Sequence, residues 1–214
     1  MFNKVFCIGF NKTGTSSMHR LFLDLGLRSF HGYYSHIPVS DPLYAGYQCF
    51  SDGNEHDFAL LDRTFPGSRF ILTTRRLDDW LASRIRHVEH RRSIGATGPM
   101  REEYDAGPRQ ALQAWIGRRH HYHERVRQYF GGREADLLVI DICGGEEQDS
   151  LARILEFLGL PARPGLALPH ENPREGRGAV ASGPVRSREA VRADVDQALR
   201  DSGLPAAAGA TVFP

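Results

Sequence analysis

A glycine-framed turn near the start of the chain combines residue types that bind phosphate. It runs from Gly9 to Gly14 with Lys12 inside it, and four hydroxyl residues lie within or just after it. Glycines let backbone N–H groups approach an anion closely, while hydroxyls and an ammonium group add side-chain donors. Lys12 is one of only two lysines among 27 basic residues. The turn therefore predicts a phosphate site; the alternative is a tight strand-to-helix connection that a serine caps.

The spacing of this turn argues against ordinary ATP hydrolysis. Gly9 and Gly14 are spaced as in a P-loop, but Thr15 follows Gly14 where a nucleotide hydrolase has its lysine. Lys12 instead lies two places before the second glycine. We therefore expect the turn to hold phosphates in a different arrangement.

A second group of polar residues follows an apolar run at 69–74. Arg75 directly follows this run, and Ser83 lies eight residues further on, in the next predicted helix. Ligands of open α/β sheets bind at the carboxyl ends of the strands. Arg75 and Ser83 are therefore predicted to clamp one phosphate through charge-assisted and hydroxyl hydrogen bonds. The alternative is that Arg75 or Arg76 pairs with Asp78 or Asp79 and that Ser83 is incidental.

Alternating apolar runs and helical patterns must position these residues. The sequence predicts strands at 4–8, 28–34, 69–74 and 136–142, and helices at 16–25, 57–64, 78–90, 109–130 and 148–158. Continuous apolar strands that are each followed by a helix are typical of parallel sheets covered on both faces. We therefore predict an α/β fold with three layers, in which a mainly parallel sheet is flanked by helices.

Two segments lack such periodicity. Residues 34–56 are polar and aromatic with several prolines and glycines, and they predict a long loop. Residues 91–108 predict a second loop that could act as a lid. The chain is divided into an α/β domain at 1–175 and a C-terminal extension at 176–214, with one helix at 187–201 and a loosely held tail.

Composition limits the partners and the location that we expect. The formal net charge is +1, so no global field attracts nucleic acid or an anionic membrane. The three cysteines are dispersed, which suits a reducing compartment and offers no metal-ligand spacing. No charged-then-apolar leader is seen, and no apolar run approaches the roughly 20 residues of a membrane span. We expect a soluble, cytoplasmic protein without a metal ion.

Three segments together resemble a known family. Residues 10–17 resemble the 5′-phosphosulfate loop of sulfotransferases that use 3′-phosphoadenosine-5′-phosphosulfate (PAPS), and 75–83 resemble their 3′-phosphate motif. Residues 136–141, 155–161 and 168–172 are similar to the late strand, helix and Pro-x-x-Asn segment of compact bacterial sulfotransferase-like proteins. The resemblance covers about 1–175. It implies a P-loop-like nucleotide-binding fold that transfers a sulfuryl group from PAPS to a hydroxyl or amine and releases adenosine 3′,5′-bisphosphate.

The resemblance also assigns roles to individual residues. It implies that Lys12 touches the bridging oxygen and the sulfuryl group, and that Arg75 and Ser83 hold the 3′-phosphate. The residues implied at the 5′-phosphate are Thr13, Gly14, Thr15 and Ser16. Residues 174–178 loosely resemble the family's Arg-Lys-Gly segment, so Arg177 is a further candidate contact of the 3′-phosphate. The chain departs from the family at Arg76 and Leu77, where relatives often have Asp and Pro.

The group that takes the acceptor's proton is expected between residues 30 and 57. Sulfuryl transfer, like phosphoryl transfer, needs in-line placement, charge stabilisation and such a base. The titratable candidates in this range are His31, His36, Asp52, His56 and Asp57. We favour Asp52, which resembles an Asp that precedes the next helix in the compact relatives. His36 comes next, because an unperturbed imidazole has a pKa of about 6.5.

A cluster of arginines and histidines at 118–123 suggests a metal or nucleic-acid site. No two of its histidines are four apart, the spacing of helical zinc pairs, and the adjacent arginines would repel a cation. We predict a solvated basic face on a helix whose core stripe is Leu112, Trp115, Tyr122, Val126 and Tyr129.

Two other functions remain open from the sequence. A small-molecule kinase would use the same turn for ATP, with Asp141 to hold Mg²⁺, but it requires a lysine where Thr15 stands. A nucleotide-binding protein without catalytic activity is the other. The acceptor, whether a sugar, a phenol, a lipid or a small metabolite, is expected to enter between 34–56 and 91–108.

Overall fold

The computed structural model describes residues 2–144, 147–169 and 187–203, which form two compact units. The sheet unit comprises residues 2–75 and 124–169, and the helical unit comprises residues 76–123 and 187–203. Arg177 and most of the C-terminal extension lie outside the described residues. No helix in the described part of the chain is both long and apolar enough to cross a membrane.

The helices, in chain order, alternate with the strands of one sheet. The strands are β1 (Val5–Cys7), β2 (Ser29–His31), β3 (Cys49–Ser51), β4 (Arg69–Thr73) and β5 (Leu137–Ile140). The helices are α1 (Thr15–Asp24), α2 (Leu43–Gly46), α3 (Phe58–Thr64), α4 (Leu77–Ser93), α5 (Pro99–Ala106), α6 (Pro108–Phe130), α7 (Glu147–Leu158) and α8 (Arg188–Asp201), with a 3-10 turn at Tyr34–His36.

The sheet is parallel throughout, with the strand order β2-β3-β1-β4-β5. This confirms the predicted α/β class and the predicted sheet flanked by helices, and it makes the sheet all-parallel rather than mainly parallel. All four predicted strands are present, each shorter than its apolar run.

One face of the sheet carries a row of phenylalanines. The strand register aligns Phe30 with Phe50, Phe50 with Phe6, and Phe6 with Phe70. Their ring centroids are 6.4, 5.3 and 5.5 Å apart, in the range of favourable aromatic pairs. Side chains alternate between the two faces along a strand, so the row arises from a single aromatic position in each of four strands.

The opposite face is aliphatic and is covered by α1 and α7. Val5 and Cys7 point to this side and belong to one cluster with the apolar residues of both helices. The remaining buried members are Met18, Leu21, Phe22, Leu25, Cys49, Ile71, Ile140, Ile142, Ile154, Leu155, Leu158 and Leu168. This packing fixes α1, and with it the turn that precedes α1, against the centre of the sheet.

Two predictions about irregular segments were wrong. The predicted loop at 34–56 contains β3, α2 and the 3-10 turn, and the second predicted loop, at 91–108, contains α5. Strand β3 is only three residues long, Cys49–Ser51, which is too short for a clear apolar period. Its place is set by pairing with strands on both sides, and that information is not local.

The predicted solvated basic face on α6 was also wrong in part. Arg119 and His123 are buried in the helical unit. Arg119 lies over the Trp80 ring at 5.3 Å, and Arg84, also buried, lies 4.8 Å from Trp80 and 4.3 Å from Trp115. Indole faces attract guanidinium groups, so these cations contribute to the core of the unit.

Candidate functional site

The site predicted from the sequence lies at the point in the sheet where the connections between successive strands change direction. Strand β1 connects through α1 to β2 at one edge, and its neighbour β4 leads to β5 at the opposite edge. Such a switch point leaves a crevice at the carboxyl ends of the two strands, where ligands of α/β proteins bind. Residues 9–16, here called the β1–α1 turn, and Thr74 and Arg75 lie at these two ends.

The backbone of the β1–α1 turn has an uncommon conformation. Lys12 has φ = 69°, the one positive φ among non-glycine residues that the structure describes, and Gly14 has φ = 96°. Left-handed backbone at a bulky residue costs roughly 1 kcal/mol and is concentrated at functional sites. Gly14 is also the N-cap of α1, and no side chain caps this end of the helix. Because the turn directly precedes α1, it lies at the positive end of the helix dipole.

The turn packs closely between the end of β4 and the segment that follows β3. A Cβ atom on Gly9 would lie 2.1 Å from Thr73 Oγ1 and 2.3 Å from Thr73 O, so a glycine is required there by contact with β4. On the other side, Asn11 N donates to Gly53 O at 2.8 Å, and a Cβ on Gly53 would lie 2.3 Å from Asn11 Cα. The two glycines let the turn seat directly on β4 and on the segment after β3.

Thr13 turns its hydroxyl away from solvent. The side chain is fully buried; Oγ1 donates to Phe10 O and lies 2.8 Å from Thr73 Oγ1. In this arrangement Thr13 can contribute to an anion site through its backbone N–H rather than its hydroxyl. Thr15 is the first residue of α1 and is mostly buried.

Ser16 contacts a histidine from β2. Its Oγ lies 3.2 Å from His31 Nε2, while His31 Nδ1 lies 3.1 Å from Ser51 O and 2.9 Å from Ser51 Oγ. A carbonyl oxygen only accepts, so the proton on Nδ1 goes to Ser51 and Nε2 accepts from Ser16. Burial lowers the pKa of His31, and the hydrogen bond to the Ser51 backbone opposes this. Ser51 was missed in the sequence because β3 was missed.

Arg75 joins the two predicted motifs. Its Nη1 donates to Lys12 O at 3.1 Å, across 63 residues of sequence. In the helical unit, Asp78 forms ion pairs with Arg76 and Arg192, both at 3.1 Å. Ser83 also belongs to the helical unit, on α4, so its predicted pairing with Arg75 stays a prediction.

Asp52 is a buried carboxyl group at the carboxyl end of β3. Its side chain is only 6% exposed; Oδ1 accepts from Gly53 N, and Oδ2 has no hydrogen-bond partner among the described residues. Burial raises the pKa of Asp52 to about 6, although the Gly53 N–H and the charge of His36 act in the opposite direction. A carboxyl with a pKa near neutral is suited to accept a proton.

The other candidate bases have different surroundings. Asp57 caps α3, where its Oδ1 accepts from Leu60 N at 2.9 Å. His56 is buried and stacks on Tyr34 with ring centroids 4.1 Å apart. Burial, helped by the charge of His36, lowers the pKa of His56 to about 3. His36 itself is exposed.

Neither models of known protein families nor curated proteins match this chain. Within the described residues, no group of three or more His, Cys, Asp or Glu side chains is arranged to hold a metal ion.

Proposed function

We propose that the protein is a sulfotransferase with a P-loop-like nucleotide-binding fold that transfers a sulfuryl group from PAPS to an acceptor hydroxyl or amine. The observation that carries this proposal is the left-handed Lys12 in a turn that Arg75 braces from β4. The two motifs that resemble the family meet in these two residues. The buried thiols of Cys7 and Cys49 accord with the proposed cytoplasmic location.

The donors at this edge of the sheet fit an anionic nucleotide. Residues 9–16 include no Asp or Glu, and they offer main-chain N–H groups, hydroxyls and one ammonium group. Main-chain groups 13–16 would hold the 5′-phosphate at the start of α1, where the helix dipole favours negative charge. Arg75 would hold the 3′-phosphate, while Ser83, in the helical unit, stays a sequence-based prediction. Arg177, outside the described residues, remains a predicted contact.

Catalysis would depend on position and charge more than on covalent chemistry. PAPS, when bound, supplies the sulfuryl group. The ammonium group of Lys12 would neutralise negative charge that develops on the bridging oxygen as the bond to sulfur breaks. Asp52, ionised above a pKa of about 6, would take the proton of the acceptor, with His36 as the second candidate. The unpartnered Oδ2 of Asp52 is the acceptor atom for that proton.

The alternatives differ in the nucleotide they require. A kinase would bind ATP with Mg²⁺ and would use Asp141, whose Oδ1 accepts from Cys143 N at 2.8 Å. A nucleotide-binding protein without activity would bind adenosine 3′,5′-bisphosphate but transfer nothing. The nucleotide that binds more tightly therefore distinguishes a kinase from a sulfotransferase. Sulfate transfer distinguishes a sulfotransferase from a nucleotide-binding protein without catalytic activity.

Calorimetric titration with adenosine 3′,5′-bisphosphate, and separately with ATP and Mg²⁺, tests the proposal. We expect the bisphosphate to bind more tightly, and Lys12→Gln to weaken its binding at least about tenfold, or about 1.4 kcal/mol. Lys4→Gln is the matched control. Lys4 is the other lysine; it precedes β1, at the end away from the turn, and donates to Tyr47 O. A preference for magnesium-ATP, or equal losses in both variants, would contradict the proposal.

A further inference from the structure

A cavity of about 260 Å³ lies in the sheet unit beyond the carboxyl ends of β2 and β3. Its lining consists of residues 34–39, 44, 56, 57, 60 and 61. Most of these are aromatic or aliphatic, and none is lysine or arginine. Asp57 caps α3 through Oδ1, so one carboxylate and no lysine or arginine lines the cavity, which disfavours an anionic ligand.

Hydrogen bonds tie this cavity to the end of β1 and to the segment that contacts the β1–α1 turn. Tyr34, in the cavity wall, donates from its hydroxyl to Cys7 O at 2.8 Å, at the end of β1. Asn54 donates from Nδ2 to Ser35 Oγ at 3.4 Å, one residue after Gly53 contacts Asn11. The segment from Asp52 to His56 thus runs from the turn to the cavity, with the candidate base at one end.

The size of the cavity limits the ligand to about one ring. An apolar cavity of about 150 Å³ accepts benzene, whereas drug-sized ligands occupy about 300–1,000 Å³. A volume of about 260 Å³ therefore suits a single ring with small substituents. A sugar of similar size carries more hydroxyls than the few polar side chains of the lining can pair, and each unpaired hydroxyl costs free energy.

The rim of the cavity combines apolar groups with the exposed side chains of His36 and Asp57. Tyr33 is 69% exposed, and its ring lies 6.4 Å from the ring of His36, which lines the cavity. Leu60, also in the lining, is 38% exposed. An exposed ring and an exposed leucine at the mouth offer contact to an aromatic ligand that enters from solvent.

We propose that this cavity is the acceptor site and that it takes a small, uncharged phenol or another one-ring alcohol. The assignment rests on the proposed sulfotransferase function. The hydroxyl oxygen of the acceptor forms the new bond to sulfur. Its proton passes to the base, for which the candidates are His36 in the cavity lining and Asp52 at the start of the connecting segment. The bond between sulfur and the bridging oxygen breaks, and its electron pair stays on the released 5′-phosphate.

Titration of the protein with p-cresol, followed by ligand-observed NMR, tests the cavity directly. We expect a Kd of about 1 mM or tighter, as befits a ligand of this size, and at least tenfold weaker binding of methyl β-glucoside. Leu60→Trp should narrow the mouth and weaken p-cresol binding at least tenfold. Leu23→Trp, at an exposed leucine on α1 outside the cavity, is the matched control and should change the Kd less than twofold.

A second variant and a second ligand keep the outcomes distinct. Val39→Trp, in the loop wall, should repeat the effect of Leu60→Trp, and thermal melts identify any variant that fails to fold. Equal binding of p-cresol in Leu60→Trp and Leu23→Trp, or a preference for the glucoside, overturns the cavity assignment. Titration of the same samples with adenosine 3′,5′-bisphosphate reports on the donor site alone, so p-cresol binding without bisphosphate binding removes the sulfotransferase proposal but keeps the ligand class of the cavity.

Discussion

The Arg75 guanidinium donates from Nη1 to the main-chain oxygen of Lys12 at 3.1 Å. The contact joins the end of β4 to the turn after β1, and it supports a left-handed lysine that ordinary backbone preferences disfavour. An arginine that braces this turn also has its cationic group at the edge where a nucleotide phosphate is proposed to bind.

Arg75→Gln should therefore weaken nucleotide binding more than it weakens the fold. Loss of a charge-assisted hydrogen bond to phosphate costs about 1.5–3 kcal/mol, so the Kd for adenosine 3′,5′-bisphosphate should rise roughly tenfold or more. Calorimetry measures the Kd. Arg20→Gln, which removes an exposed arginine paired with Asp24 on α1, is the control and should leave the Kd unchanged. Equal Kd values for the two variants would remove Arg75 from the site.

Gly9→Ala should destabilise the protein by at least about 2 kcal/mol. The added methyl group would lie within 2.3 Å of the Thr73 carbonyl oxygen, and neither backbone can move without disturbing the β1–β4 pairing. Urea unfolding gives the change in free energy. Gly46→Ala is the control, because a Cβ there meets nothing within 4 Å, and it should be neutral or slightly stabilising. Similar effects at both glycines would mean that β4 gives way easily.

The strands and helices that the sequence predicted are those with long, continuous patterns. The runs around Phe6, Phe70 and Leu138 are apolar throughout, and a parallel strand buried on both faces needs no other signal. The turn at Lys12 was also accessible, since glycine spacing and residue type specify it locally. Strand β3 was not, because Cys49–Ser51 is a strand through its pairing with β1 and β2.

The burial of polar groups was the least accessible feature. Asp52 and His56 look like solvated loop residues in the sequence, but the undetected β3 carries them into the interior. Arg119 looked solvated for a similar reason, since the tryptophan that it covers lies on a different helix. In each case the environment depends on contacts between residues distant in sequence, and such contacts also set the pKa values that matter for function.

His56 should make the protein less stable as the pH falls. Its folded pKa is about 3 because of burial and the charge of His36, whereas an unfolded histidine titrates near 6.5. Between these values the unfolded chain binds the extra proton, so stability falls by up to about 1.4 kcal/mol per pH unit as the pH drops. His56→Phe keeps the ring beside Tyr34 and should reduce this slope by up to about 1.4 kcal/mol per pH unit in urea titrations. Part of the slope should remain, because burial also lowers the pKa of His123 to about 3. His121→Phe, at an exposed histidine on α6, should leave the slope unchanged; a slope in His56→Phe equal to that of the parent protein would contradict the low folded pKa of His56.

Asp52 should act on stability in the opposite pH direction. Its folded pKa is about 6, above the ordinary value of about 3.9, so the folded state holds the proton more tightly between these values. The ionised carboxylate therefore costs stability as the pH rises from about 4 to 6, and the full cost, at most about 3 kcal/mol, applies above pH 6. Asp52→Asn keeps an acceptor for Gly53 N, so it should match the parent protein near pH 4 and be more stable above pH 6.

The same variant separates a catalytic role from a structural one. If Asp52 takes the acceptor's proton, Asp52→Asn should bind adenosine 3′,5′-bisphosphate with an unchanged Kd and transfer sulfate to p-cresol at least about 100-fold more slowly. Transfer is measured by mass spectrometry of the sulfated product. Asp41→Asn, at an exposed carboxylate in the same unit, should alter neither the stability profile nor the rate. Full activity in a stabilised Asp52→Asn variant would show that Asp52 is not the base. His36, which lines the cavity, would then be the remaining candidate.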